Sequence, residues 1–103
     1  MTWMRACALS ALADESALKV ELGGGPVCIA RSNGEVYAID DVCSHADVAL
    51  SEGDVEDGTV ECWLHGSRFD LRTGEATSLP ATQPVPVYPV KVEGDEILVD
   101  VER

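Results

Sequence analysis

The stretch Pro26-Val27-Cys28-Ile29-Ala30, then Asn33-Gly34, then Glu35-Val36-Tyr37-Ala38-Ile39, decides how this chain folds. Two β-branched runs flank an Asn-Gly pair, whose residues tolerate the left-handed backbone that a two-residue hairpin turn demands. Working outward, Ala17-Leu18-Lys19-Val20-Glu21-Leu22 alternates apolar and polar and is broken by Gly23-Gly24-Gly25. Downstream, Thr59-Val60-Glu61-Cys62-Trp63 reads as a strand and Phe69-Asp70-Leu71-Arg72 as a short one closed by Thr73-Gly74. Val87 to Val92 and Glu96 to Val101 form a last pair across Glu93-Gly94-Asp95, with Pro89 marking an edge or a bulge. Short runs between turn signals predict an all-β fold: two antiparallel sheets in a small sandwich or barrel. Asp14 to Ala17 has room for one helical turn at most. Residues 41–58 carry no clear strand, and the proline-bearing stretch 79–86 cannot pair as one.

The 103 residues suit a single domain, 1–103, with a modest core. Nineteen acidic and seven basic side chains give a net charge of −12. That balance argues against nucleic acid and anionic membrane surfaces, which select clustered Lys and Arg. No run is long and apolar enough to suggest a membrane span. Arg5 followed by Ala6 to Ala13 mimics a secretory signal but ends too early, so it reads as a first strand and loop. The expected compartment is the cytoplasm, with reduced thiols.

Chemistry concentrates in Cys43-Ser44-His45 and Cys62-Trp63-Leu64-His65, two Cys/His pairs with sixteen residues between them. In extended backbone, positions i and i+2 face the same way, and an i, i+3 spacing across a turn does likewise. Gly66 after the second pair lets the chain bend closely around a bound group. Two loops that each supply one thiolate and one imidazole make a four-ligand clamp. One reading is that these are ordinary buried core residues, although both histidines of the chain fall within three residues of a cysteine. A second is a structural zinc of Cys2His2 type, giving an interaction module, although zinc fingers pair cysteine with cysteine and histidine with histidine. The third is a [2Fe–2S] cluster in which two histidines replace two cysteines on one iron.

The run from Cys43 to Asp70 resembles the Rieske signature: Cys-x-His, a gap of about sixteen residues, Cys-x-x-His, with Gly66-Ser67 and Asp70 matching its tail. The likeness extends over the whole chain and is greatest to small Rieske-type ferredoxins of bacterial multicomponent, aromatic-ring-hydroxylating oxygenase systems. The resemblance implies a cluster-binding subdomain at about 43–69 and a covering loop at about 79–86. It implies one [2Fe–2S] cluster, with Cys43 and Cys62 on the inner iron, His45 and His65 on the outer iron, and Ser67 donating a hydrogen bond. It further implies a one-electron carrier between an NAD(P)H-dependent flavoprotein reductase and a terminal oxygenase. A small Rieske subunit of a larger reductase, such as nitrite reductase, is the alternative within the family; many such subunits lack the ligands present here. No catalytic residue is expected, because a mononuclear iron site needs two more histidines and this chain has only two in all.

Two thiolates, two sulfides and two ferric ions sum to zero charge when oxidised, so adding an electron is easier than in an all-cysteine cluster. Respiratory members of the family place a tyrosine two residues after the serine and a cysteine in each loop; this chain has Phe69, Val48 and Leu64 there. The expected potential lies in the lower part of the roughly −150 to +300 mV Rieske span. The midpoint should stay flat near neutral pH and fall in alkali as ligand imidazoles lose their protons. Cys7 and Cys28 read as buried structural thiols, and Trp63 as a loop-packing residue. Asp40, Asp41, Asp47, Glu52, Asp54, Glu56, Asp57 and Glu61 form an acidic run without Lys or Arg. It is either a solvated face or a surface that steers the site to basic partners.

Overall fold

The computed structural model describes residues 3–43, 48–64, 66–79 and 83–101. Ten strands run in chain order: β1 (Trp3–Ala8), β2 (Ser16–Leu22), β3 (Gly25–Ser32), β4 (Glu35–Asp40), β5 (Val55–Glu56), β6 (Thr59–Glu61), β7 (Arg68–Asp70), β8 (Val87–Tyr88), β9 (Val90–Glu93) and β10 (Glu96–Asp100). They form three antiparallel sheets, ordered β1-β10-β9, β2-β3-β4-β8 and β5-β6-β7. The fold is all-β, as the sequence predicts.

The Asn-Gly hairpin forms as expected, with Asn33 at φ 53° and Gly34 at φ 80° between β3 and β4. The run Val27-Cys28-Ile29-Ala30 has a further consequence. Successive strand residues point to opposite faces, and all four are fully buried, so both faces of the strand are covered. Val27 and Ile29 join a core with Leu12, Ala38, Ile97 and Val99, made with the β1-β10-β9 sheet. Cys28 and Ala30 join a second core with Ile39, Cys43, Leu50, Cys62, Phe69 and Leu71, on the side of the β5-β6-β7 sheet. The central hairpin thus lies between two cores, one of which contains both loop cysteines.

Several local expectations need correction. Asp14 and Glu15 form a turn rather than a helical one, and β2 begins directly at Ser16. Residues 41–58, read as strandless, hold a short 3-10 turn at Leu50–Glu52, the two-residue strand β5 and an isolated Val42–Ala49 bridge. These pieces are too short to leave a periodic signal. The strand expected over Thr59 to Trp63 stops at Glu61, so Cys62 opens a loop. The strand expected from Phe69 to Arg72 sits one residue earlier and ends at Asp70. Pro89 is where the chain changes sheets: β8 pairs with β4, whereas β9 pairs with β10. Lacking an N–H, it cannot extend either ladder, though its carbonyl accepts the amide of Asp100 at 3.1 Å.

Candidate metal centre

Cys43 follows β4, directly after Val42, which pairs with Ala49 in an isolated antiparallel bridge. The Cys43 amide donates to the Val48 carbonyl at 3.0 Å, and the Leu50 amide donates to the Asp41 carbonyl at 2.6 Å. Asp41 fastens the base of this pairing. Its own amide reaches the Pro26 carbonyl at 3.2 Å, and its carboxylate accepts the amide and hydroxyl of Ser51 at 2.7 and 3.0 Å. Only 1% of Asp41 is exposed. Burial pushes its carboxyl above the usual range, while the two Ser51 bonds pull the other way. Asp41 therefore does not belong to the solvated acidic face that the charge run suggests.

Cys62 follows β6 and opens the second turn. Its amide donates to the Ser67 carbonyl at 2.6 Å, and the Gly66 amide returns to the Cys62 carbonyl at 2.9 Å. Gly66 has φ 78°, a conformation that suits glycine. The far side of the turn is held by the Arg68 amide donating to Ser78 Oγ at 2.9 Å and the Thr77 amide donating to the Arg68 carbonyl at 2.7 Å.

Cys43 and Cys62, nineteen positions apart in sequence, thus reach one apolar cluster with Leu50, Val55, Val60, Phe69, Leu71 and Val85. Both are buried and neither is in a disulfide. Ser67 and Phe69 are fully buried in the second loop and the strand that follows it. His45 and His65 lie outside the described residues, as does part of the expected covering loop, residues 80–82. Within the same expected loop, Leu79 is 77% exposed and Val85 is buried. Trp63 and Leu64 are also exposed, which sets Trp63 against its reading as a loop-packing residue. Two disulfide-free, buried thiols from separate loops, sharing one apolar cluster, suit the sulfur side of an iron–sulfur centre.

Cys28 is fully buried, as expected, and burial pushes its thiol far above the usual range, with the Asp41 charge adding to the effect. Cys7 is only half-buried, its thiol raised by burial and lowered by Arg5.

Other residues that matter here escape sequence reasoning. A Cβ on Gly53 would lie 1.6 Å from the carbonyl oxygen of Glu61, so the segment after Leu50 runs directly against the residue before Cys62. Gly53 has no unusual φ, and nothing in the chain near it signals a contact that arises only in three dimensions. The Glu61 carboxylate sits beside the second loop, where a Cβ on Gly66 would lie 3.6 Å from its Oε2.

The family model of the Rieske [2Fe-2S] domain matches residues 2–89. The ferredoxin component of biphenyl 2,3-dioxygenase from Rhodococcus jostii (strain RHA1) is 46% identical over 102 residues, covering 99% of this chain and 95% of that one. Among solved structures, the ferredoxin of carbazole 1,9a-dioxygenase from Nocardioides aromaticivorans IC177 superposes with a TM-score of 0.89 at 40% identity, covering 96% of this chain and 97% of that one. A structure described as a complex of reduced oxygenase and oxidised ferredoxin in carbazole 1,9a-dioxygenase matches with a TM-score of 0.91 at 33% identity, covering 98% and 94%. The chain belongs to the Rieske [2Fe–2S] domain family. Its cofactor is one [2Fe–2S] cluster, and it is an electron carrier of the kind found as ferredoxin components of dioxygenase systems.

Proposed function

We propose that this chain carries single electrons in the cytoplasm from an NAD(P)H-dependent flavoprotein reductase to a terminal oxygenase. It does so with Cys43, His45, Cys62 and His65 as cluster ligands and without a substrate site of its own. The observation that carries the ligand set is the convergence of Cys43 and Cys62, both free of disulfide bonds, on one buried cluster from two separately braced loops. Bound there, the [2Fe–2S] group supplies a centre that takes up and releases one electron. The protein's part is to hold and shield it. Asp41 and Ser51 fix the first loop, the Cys62–Ser67 bond closes the second, and Phe69, Leu71 and Val85 exclude water from the thiolates. The cluster-binding unit is read as residues 43–69, with 79–86 covering it, inside a single domain 1–103.

The partner reading rests on two features. The carbazole 1,9a-dioxygenase ferredoxin is seen with its oxygenase, and that ferredoxin shares this fold over nearly its full length. In this chain, exposed Trp63 and Leu64 immediately precede the proposed ligand His65, and exposed Leu79 opens the expected covering loop. These exposed apolar side chains offer contact surface suited to a short-lived redox encounter. Glu52, Asp54, Glu56 and Asp57 are exposed along the approach to β6 and supply negative charge for steering.

The test is stopped-flow electron transfer from the reduced chain to a terminal oxygenase of the biphenyl-dioxygenase type, across a range of ionic strengths. The reading expects transfer that slows as salt rises, and slows further in Trp63→Ala. Absence of transfer, or rates indifferent to both changes, contradicts it.

A further inference from the structure

Three non-glycine residues in the described chain adopt a left-handed backbone: Glu15 at φ 58°, Asn33 at 53° and Asp57 at 49°. They come from three different turns, and they meet. Glu15 Oε2 accepts the Asp57 amide at 3.0 Å, across 42 positions of sequence. Glu15 Oε1 accepts the Asn33 amide at 3.0 Å and the Ser32 hydroxyl at 2.9 Å. Asn33 Nδ2 donates to Asp57 Oδ1 at 3.3 Å. Ser32 is fully buried, and its hydroxyl accepts the Gly58 amide at 2.8 Å. Both amides of the Asp57-Gly58 turn are therefore taken by residues of the central sheet and its turns.

We propose that Glu15 is a positioning residue that, together with Ser32, pins the β5–β6 turn to the central sheet and so sets the placement of Cys62. The turn stands at one end of β6, and Cys62 directly follows the other end. A three-residue strand held at its far end by two amides has little freedom to swing. The Gly58 carbonyl is fixed as well, by the Leu71 amide at 2.9 Å, so the same turn also braces the chain leaving β7. Glutamate gains nothing locally from a positive φ, unlike Asn33 and Asp57, whose residue types tolerate it. Holding Glu15 there makes sense as the way its carboxylate reaches two turns at once. Gathering Asp14, Glu15 and Asp57 in a chain of net charge −12 is unfavourable on its own. The N–H and hydroxyl donors directed at these carboxylates offset that repulsion, with Asp14 Oδ1 accepting the Gly34 amide at 3.1 Å.

The consequence for the cluster rests on Cys62 as a ligand; the pinning itself does not. The experiment uses the full-length, cluster-loaded protein with Glu15→Asn, Glu15→Gln and Ser32→Ala. Asparagine accommodates the left-handed backbone but is too short to bridge, so it separates turn geometry from the carboxylate. Amide hydrogen exchange is followed by mass spectrometry, and the reduced protein by EPR. The proposal expects Glu15→Asn and Ser32→Ala to raise exchange tenfold or more across 57–71 while β1, β9 and β10 stay unchanged. Glu15→Gln, which keeps one acceptor, should fall between. The EPR lines of Glu15→Asn should broaden as the ligand geometry becomes less uniform. Unchanged exchange over 57–71, an equal rise in β1 and β10, or a rise without any change in EPR line shape overturns it. A parent protein lacking the EPR signal speaks against the ligand set, whereas the exchange contrast among variants speaks only to Glu15.

Discussion

Cys62 and Ser67 close the second loop on each other: the Cys62 amide donates to the Ser67 carbonyl at 2.6 Å, and both residues are fully buried. This fixes the serine in the same turn as the proposed thiolate ligand. A hydroxyl bonded to the cluster favours its more negative, reduced form. If Ser67→Ala removes about 1 kcal/mol of that preference, the midpoint falls on the order of 40 mV. Protein-film voltammetry measures it, and an unchanged midpoint excludes the serine from tuning.

Phe69 is fully buried in β7, paired with Val60 and packed in the core that contains Cys43 and Cys62. Phe69→Tyr places a second hydroxyl in this region and is expected to raise the midpoint. A midpoint that stays or drops contradicts the account of hydroxyl tuning. Phe69→Ala tests the packing instead, with an expected loss of about 3–5 kcal/mol in urea denaturation.

Gly53 and Glu61 touch where the segment after the first loop meets the strand leading to the second. The neighbour is backbone, which cannot rotate away. Gly53→Ala is therefore expected to destabilise by about 1–3 kcal/mol and to speed cluster loss, followed by bleaching of visible absorbance under chelator. Gly94→Ala, in the β9–β10 turn, where a Cβ meets nothing within 4 Å, is the comparison. Its cost should come only from the positive φ, with cluster loss unaltered.

Cys28 predicts a pH dependence. Burial, aided by the Asp41 charge, raises its thiol above the ordinary 9.0. The folded chain therefore keeps a proton that the unfolded chain gives up in alkali. The stability linked to this thiol is complete below about pH 9 and declines as pH climbs beyond it. Urea midpoints at pH 8 and pH 10 should separate more in the parent than in Cys28→Ala. Iodoacetamide should leave Cys28 unmodified in the native state at pH 8; ready alkylation there would contradict its burial.

Much of this architecture is legible in the chain because it is written locally. Asn33-Gly34 specifies a hairpin through backbone sterics alone, and the Cys43 to Gly66 spacing reads as a two-loop clamp through ligand chemistry, of which Cys43 and Cys62 are seen in one buried cluster. Other features have no local signature. Val55-Glu56 is a strand only because Val60 and Thr59 pair with it, so a two-residue element leaves no period to detect. Asp41 looks like one more member of an acidic run, and only Ser51, ten positions on, makes it a buried brace. Glu15 falls in a stretch read only as room for one helical turn; it is an exposed turn residue, and its bond to the Asp57 amide spans 42 positions. Trp63 errs in the other direction: read as a loop-packing residue, it is exposed.

The central claim is that one thiolate and one imidazole from each loop, Cys43 with His45 and Cys62 with His65, hold the cluster. Pulsed EPR of the dithionite-reduced protein tests it most directly, because nitrogen nuclei bonded to the reduced iron couple strongly to the unpaired electron. The account predicts two such nitrogens, with one lost in His45→Cys and one in His65→Cys. A reduced centre with no strongly coupled nitrogen, or a protein that takes up zinc and yields no acid-labile sulfide, would contradict it.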